Sequence, residues 1–86
     1  MSKGKVSQVK DGDTFKIAYG PWIRLANVNA PELGSKAGST AKQQLKNLVG
    51  GKTVSYEKVG TSYGRIVAKV KVGTKSVNSS MKKKGY

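Results

Sequence analysis

Arg24-Leu25-Ala26-Asn27-Val28-Asn29-Ala30-Pro31-Glu32 begins as an apolar strand and ends at a proline, with a charged side chain at each end. Proline lacks the backbone N–H that a sheet needs, so we expect the strand to break up at Pro31. The chain holds only four carboxylates, and Glu32 is one of them. Two others, Asp11 and Asp13, lie upstream in Asp11-Gly12-Asp13-Thr14. Acidic and basic side chains therefore collect at one strand end and one turn.

The basic residues are unevenly divided between lysine and arginine. Of 17 basic side chains 15 are lysine, and the two arginines are Arg24 and Arg65, the latter in Tyr63-Gly64-Arg65. The net charge of +13 favours a polyanionic partner, most commonly a nucleic acid backbone. An anionic membrane surface and simple solubility are the alternatives.

Composition excludes several kinds of chemistry. The chain has no cysteine and no histidine, which removes disulfides, thiolate metal sites and imidazole catalysis. Any catalysis must use carboxylates, a hard metal ion and cations. Eighty-six residues predict a single domain spanning residues 1–86. No apolar run approaches the roughly 18 residues of a membrane span, and the first residues do not resemble a signal peptide. We expect a soluble protein and leave its compartment open.

The first half of the chain predicts strands. Val6 and Val9 are out of phase for a regular strand, which indicates a bulge near Ser7-Gln8. A second strand over residues 14–19 places Phe15, Ile17 and Tyr19 on one face, and Gly20-Pro21 separates it from a third strand over residues 22–28.

If these two strands form a hairpin in which Tyr19 lies opposite Trp22, Ile17 lies opposite Arg24 and Asp13 opposite Val28. Asp13 and Asn29 are then expected to be neighbours where the third strand breaks up.

The second half predicts one main helix and two further strands. After a small-residue loop over residues 34–38, Thr40-x-x-Gln43 has the form of a capping box and predicts a helix to Val49, ended by Gly50-Gly51. Alternation then predicts strands over residues 53–59 and from Arg65 to Val72, joined by a loop over residues 60–64. Gly73-Thr74 predicts a turn, with a short return strand at Ser76-Val77 and a short helix through Lys84 capped by Asn78.

Five strands with one helix between the third and fourth predict a mainly β fold. This order is expected of the oligonucleotide-binding (OB) barrel, a five-stranded Greek-key barrel. The aromatic residues Tyr19, Trp22 and Tyr56 are expected to serve the core or the barrel surface rather than to act as stacking platforms.

Four motifs occur in one order along the chain: Val9-x-Asp11-Gly12-Asp13-Thr14, Arg24-Leu25-x-x-Val28-x-Ala30-Pro31-Glu32, Tyr63-Gly64-Arg65 and Val77-Asn78. Together they resemble the staphylococcal nuclease-like (thermonuclease) domain. The resemblance implies an OB barrel and a calcium-dependent nuclease that hydrolyses DNA or RNA with little sequence preference. It also implies a single-stranded nucleic acid partner, and we expect a monomer without a membrane role.

The resemblance also implies roles for individual residues. Calcium would be held by Asp13, Asn29 and the backbone carbonyl of Ala30. Glu32 would orient or deprotonate the attacking water, while Arg24 and Arg65 would grip the phosphate. Asp11 and Thr14 would support these groups, and Tyr63 would hydrogen-bond a terminal phosphate. Independently of any family, arginine suits this task because it binds phosphate through two parallel hydrogen bonds.

The chain departs from the family pattern at two places. Asn29 stands where the family usually has an aspartate, so the calcium site is expected to be weak. The sequence ends at Gly85-Tyr86, where family members commonly continue into a further helix, so a weaker hold on the nucleotide is expected. Two other interpretations stay open: a catalytically impaired nucleic-acid-binding OB module, and an interaction domain whose charge confers solubility.

Overall fold

A computed structural model describes residues 2–32 and 34–86. Its elements in chain order are β1 (Ser2–Val9), β2 (Thr14–Ile17), β3 (Trp22–Leu25), α1 (Lys36–Val49), β4 (Thr53–Ser62), β5 (Arg65–Val72), β6 (Lys75–Ser76) and α2 (Val77–Lys83). The sheet order is β3-β2-β1-β4-β5-β6, and a parallel pairing between β3 and β5 closes the first five strands into a barrel. The predicted mainly β barrel with one main helix and a short C-terminal helix is confirmed.

The barrel interior is filled by alternate strand residues and capped by helix residues. Phe15, Ile23 and Leu25 are fully buried on β2 and β3, as expected for one face of a pleated strand. Three residues of α1 at helical spacing, Ala41, Leu45 and Val49, are also fully buried. Among the described residues, no helix is both long and apolar enough to cross a membrane.

The predicted bulge in β1 is confirmed. Val6 pairs with Ile17 and Gln8 with Lys16, so the register shifts between Val6 and Gln8. The extra residue brings both Val6 and Val9 against the core despite their odd spacing.

The predicted register of the β2–β3 hairpin is wrong by three residues. Thr14 pairs with Arg24 and Lys16 with Trp22, whereas the sequence placed Ile17 opposite Arg24. The cause is an early turn, because β2 ends at Ile17 and Tyr19 adopts a φ of 57°. Tyr19 is fully exposed instead of sharing the inner face with Phe15.

The third strand also ends earlier than predicted. β3 stops at Leu25, and Asn27 reverses the chain with a φ of 61°. Asp13 lies beside the end of this strand and not opposite Val28, because the backbone N–H of Leu25 donates to the Asp13 carbonyl over 2.8 Å. The break therefore precedes Pro31, and an asparagine in the left-handed conformation produces it.

The predicted start of the main helix is wrong, whereas its end is confirmed. Helix α1 begins at Lys36 because the Ser35 side chain caps it, accepting from the Gly38 N–H over 2.9 Å. Thr40, the predicted cap, lies inside the helix and donates to the Lys36 carbonyl. Gly50 ends the helix.

The connection between β4 and β5 is shorter than the predicted loop over residues 60–64. Strand β4 continues to Ser62, which pairs with Arg65. Only Tyr63 and Gly64 form the turn, with φ values of 51° and 77°. Two consecutive residues of positive φ suit the right-handed twist of a tight hairpin. The start of β5 is thereby fixed one residue beyond the turn.

The C-terminal helix α2 forms, but Asn78 does not cap it. Ser76 is the cap, and Asn78 is buried within the first turn. The Asn78 Oδ1 accepts from the Val70 N–H over 2.8 Å, and its Nδ2 donates to the carbonyls of Ala26 and Ala68 over 2.9 and 3.2 Å. Asn78 thus joins α2 to β5 and to the segment after β3.

Candidate active site

The turn before β2 positions Asp13. The Asp13 N–H donates to Asp11 Oδ1 over 3.1 Å, an arrangement typical of aspartate in turns. Gly12 lies between them and is buried, and a Cβ there would come within 2.6 Å of the Cβ atoms of Ala30 and Ala41. Only glycine lets the turn approach α1 and the Ala30 segment this closely.

The Asp13 side chain is 12% exposed, and its carboxylate receives contacts from three directions. Thr14 Oγ1 donates to Oδ1 over 2.9 Å, and the Ala30 N–H donates to Oδ2 over 3.3 Å. The Arg24 guanidinium Nη2 lies 3.6 Å from Oδ2. Such contacts compensate a carboxylate for the loss of water.

The two arginines reach Asp13 and its neighbour Thr14 from different strands. Arg24, on β3, donates from Nη2 to Asn29 Oδ1 over 3.1 Å and from Nη1 to the Leu25 carbonyl over 3.2 Å. Arg65, on β5, donates from Nη1 to Thr14 Oγ1 over 3.2 Å. Since Thr14 is fully buried and bonded to Asp13, one chain of contacts links both guanidinium groups. We call Asp13, Thr14, Arg24 and Arg65 the arginine network.

The residues expected to bind calcium, Asp13, Asn29 and Ala30, lie close to one another. Asp13 Oδ2 and Asn29 Oδ1 share the Arg24 Nη2 as a neighbour, and the Ala30 N–H contacts Asp13. The structure therefore brings Asp13, Asn29 and Ala30 together, although the hairpin register differs from the predicted one.

Glu32 stands apart from these contacts. Its side chain is exposed, and among the described residues its carboxylate has no hydrogen-bond or ion-pair partner within the usual distances. Its backbone is held, because Ser35 Oγ donates to the Glu32 carbonyl over 2.9 Å. Gly38 packs so closely there that a Cβ would overlap the Glu32 carbonyl. Leu33, which follows Glu32 in the sequence, lies outside the described residues.

A cleft of about 390 Å³ lies beside the arginine network. It is lined by Lys10, Thr14, Trp22, Tyr63, Gly64 and Arg65, and we call it the Trp22 cleft. The turn between β4 and β5 leaves Tyr63 96% exposed at this cleft. Trp22 was expected in the core or on the barrel surface, and its place in this cleft was not predicted. The alternation Trp22, Arg24 along one strand could have revealed it, since alternate residues share a face.

The turn before β2 places the carboxylates of Asp11 and Asp13 close together. Burial, and then a hydrogen bond with the Asp13 side chain, raises the pKa of Asp11 above its ordinary value. A raised pKa means that the folded protein disfavours the charged form of Asp11, chiefly because the side chain is partly removed from water.

The side chains around Asp13 include few acidic groups. No cluster of three or more acidic, histidine or cysteine side chains occurs within residues 2–32 and 34–86. Asp13 and Asn29 nevertheless supply a carboxylate and an amide oxygen, hard ligands of the kind that calcium accepts, while Ala30 contacts Asp13 through its N–H. The positively charged Arg24 Nη2 already lies against Asp13 Oδ2 and Asn29 Oδ1, so this pair of oxygens accommodates positive charge. A cation bound between Asp13 and Asn29 would therefore compete with the Arg24 guanidinium.

Fold and site together define an OB-type barrel in which a largely buried carboxylate is linked to two partly exposed arginines. Residues 22–86 match the family described as Staphylococcal nuclease homologue. The chain belongs to this family, which confirms the resemblance drawn from the sequence.

Two relatives carry related names. The chain is 38% identical over 71 residues to an uncharacterized endonuclease of Escherichia coli, covering 78% of this chain and 46% of that protein. It is 36% identical over 72 residues to a micrococcal nuclease of Shigella flexneri, covering 79% of this chain and 41% of that protein. The chain thus spans less than half the length of these relatives.

Proposed function

We propose that this domain is a calcium-dependent phosphodiesterase that hydrolyses single-stranded DNA or RNA with little sequence preference. The observation that carries the proposal is the arginine network. The only two arginines among 17 basic residues lie 41 positions apart in the sequence. Arg24 contacts Asp13 and Arg65 contacts the next residue, Thr14. The names of the relatives, an endonuclease and a micrococcal nuclease, support the same class of reaction.

The network suits phosphoryl transfer for a physical reason. The transition state spreads negative charge over the phosphate oxygens, and fixed donors stabilise it without rearranging. Arg24 and Arg65 each hold protein contacts that orient the guanidinium while leaving part of the side chain open to solvent. We assign both the task of binding the phosphate and its developing charge.

Water activation is assigned to Glu32. The chain contains no histidine, and its other glutamate, Glu57, lies on β4. The exposed Glu32 carboxylate is open to a water molecule, and its backbone is fixed to the start of α1 by Ser35. A carboxylate in this role accepts the proton of the attacking water.

Calcium would be held by Asp13, Asn29 and the Ala30 carbonyl. When bound, the ion supplies positive charge that polarises the phosphate and its neighbouring water. Asn29 contributes an oxygen without a formal charge, so we expect weaker calcium binding than an aspartate would give.

A second function competes, in which the barrel binds nucleic acid without cleaving it. The observation that favours it is the contact of Arg24 with both Asp13 and Asn29, because a cation entering there must displace or share the guanidinium. Binding by the lysine-rich surface would then persist alone, and the affinity for single-stranded DNA would fall steeply as salt rises.

The test is release of fluorescence from a quenched single-stranded DNA in calcium, in magnesium and in chelator. The control is Arg24→Ala combined with Arg65→Ala, purified identically, which reports any contaminating nuclease. Calcium-dependent release of fluorescence by the wild type, with none by the double variant, supports the nuclease. Salt-sensitive binding without release by the wild type supports the binding module.

A further inference from the structure

Trp22 faces outward on β3, on the same side as Arg24. Along this strand Ile23 and Leu25 are fully buried, while Trp22 and Arg24 are partly exposed. Alternate strand residues share a face. The indole therefore belongs to the surface that carries the arginine network and not to the barrel interior.

Cationic side chains flank Trp22 on both neighbouring strands. Lys16 on β2 pairs with Trp22. On β5 the parallel register sets Ile23 against Ile66, so the preceding residue, Arg65, lies alongside Trp22. Trp22 and Arg65 both line the Trp22 cleft. An aromatic ring therefore stands between two side chains that can bind phosphate.

We propose that Trp22 is a stacking platform for a nucleobase of bound single-stranded nucleic acid, with an adjoining phosphate at Arg65. The ligand class rests on the proposed function, but the platform does not require cleavage. Aromatic rings hold bases of any identity, since every base has a π face. The flanking cations bind the backbone on either side of the stacked base, and arginine also interacts favourably with the face of an indole.

The proposal explains the composition of the cleft. The lining combines one indole, one phenol and two basic side chains and contains no carboxylate. A site for a phosphate alone has no need of an aromatic wall, whereas a nucleotide presents a flat ring beside its charge. The size of the cleft, about 390 Å³, leaves room for more than a phosphate group.

The chain offers a direct optical test because Trp22 is its only tryptophan. Its emission is followed in chelator, which prevents calcium-dependent cleavage, during titration with an oligothymidylate and with an abasic oligonucleotide of equal length. Binding of each is measured in parallel by anisotropy. We expect strong quenching by the oligothymidylate and little by the abasic strand at equal occupancy. Equal quenching by both strands, or none by either despite binding, would overturn the proposal.

Variants separate stacking from folding. Trp22→Leu should weaken oligothymidylate binding about tenfold and leave abasic binding within twofold. Trp22→Phe should recover part of the loss. Tyr19→Asn is the matched control, since it removes a fully exposed aromatic residue at a position whose positive φ asparagine tolerates. Equal loss for both ligands in Trp22→Leu would assign the residue a structural role and overturn the proposal.

The two proposals fail differently. Base-dependent quenching by a protein that never cleaves DNA would refute the nuclease and leave the platform standing. Calcium-dependent cleavage without base-dependent quenching would refute the platform and leave the nuclease standing.

Discussion

The arginine network and the Glu32 segment are held in opposite ways. In the network the side chains themselves are tied, with Thr14 donating to Asp13 over 2.9 Å and Arg65 donating to Thr14 over 3.2 Å. At Glu32 the backbone is tied, through Ser35, while the carboxylate extends into solvent. The groups proposed to bind charge are therefore oriented before substrate arrives. The proposed base depends on the placement of its backbone.

The largest effect is expected from Glu32→Gln, which removes the base and keeps the shape. We expect kcat to fall by about 10²–10⁴ with calcium binding nearly unchanged. Glu57→Gln is the matched control, because it removes the only other glutamate, on an exposed position of β4. Steady-state cleavage and calcium titration measure the two quantities. Near-normal cleavage by Glu32→Gln would place water activation elsewhere.

Arg24→Lys and Arg65→Lys test the arginine network. Each change keeps the charge and removes the paired donors, so we expect kcat to fall by about 10²–10³ while single-stranded DNA affinity changes little. Lys71→Arg, on the exposed face of β5, is the reverse exchange and should leave both unchanged. Rates near wild type in both lysine variants would show that neither guanidinium contacts the transition state.

Gly38→Ala tests the backbone support of Glu32. The added Cβ overlaps the Glu32 carbonyl, so the segment must shift, and we expect kcat to fall about tenfold with DNA binding retained. Alanine by itself would favour the helix by about 0.5–1 kcal/mol, so thermal unfolding distinguishes strain from propensity. Gly60→Ala is the control, since a Cβ there meets open space. Unchanged kcat in Gly38→Ala would show that this packing does not position Glu32.

The smallest effect is expected from Asn29→Asp. A second carboxylate beside Asp13 should tighten calcium binding roughly fivefold and raise cleavage at limiting calcium. Repulsion between the carboxylates should lower metal-free stability, partly offset by Arg24. Calcium titration with thermal unfolding in chelator measures both. Unaltered calcium affinity would remove Asn29 from the metal site.

The sequence predicted those features that local patterns determine. The out-of-phase valines Val6 and Val9 indicated the bulge, and Gly50-Gly51 indicated the helix end. The start of α1 was missed because Gly38 disfavours a helix locally, and only its contact with Glu32 explains its presence. The hairpin register was missed because Tyr19 adopts a left-handed conformation that few residues favour.

The sequence also predicted only part of the site. Family-like motifs identified Arg24, Arg65 and Asp13, and the structure joins them. The role of Trp22 was missed because alternation placed it on the same face as Arg24 but gave no sign that Arg65 lies beside it. Asn78 has the residue type of a helix cap, and its burial between strands depends on contacts distant in sequence.

The parallel pairing of β3 with β5 links assembly of the site to completion of folding. Arg24 and Arg65 belong to these two strands, and the intervening chain includes α1 and β4. Such a long closure is slow, because chain entropy is lost before the contacts form. In a partly folded molecule that lacks this pairing, Arg65 does not lie beside Arg24 at the site. If the proposed function holds, an oligonucleotide that engages both arginines should favour the closed barrel and raise its melting temperature by mass action.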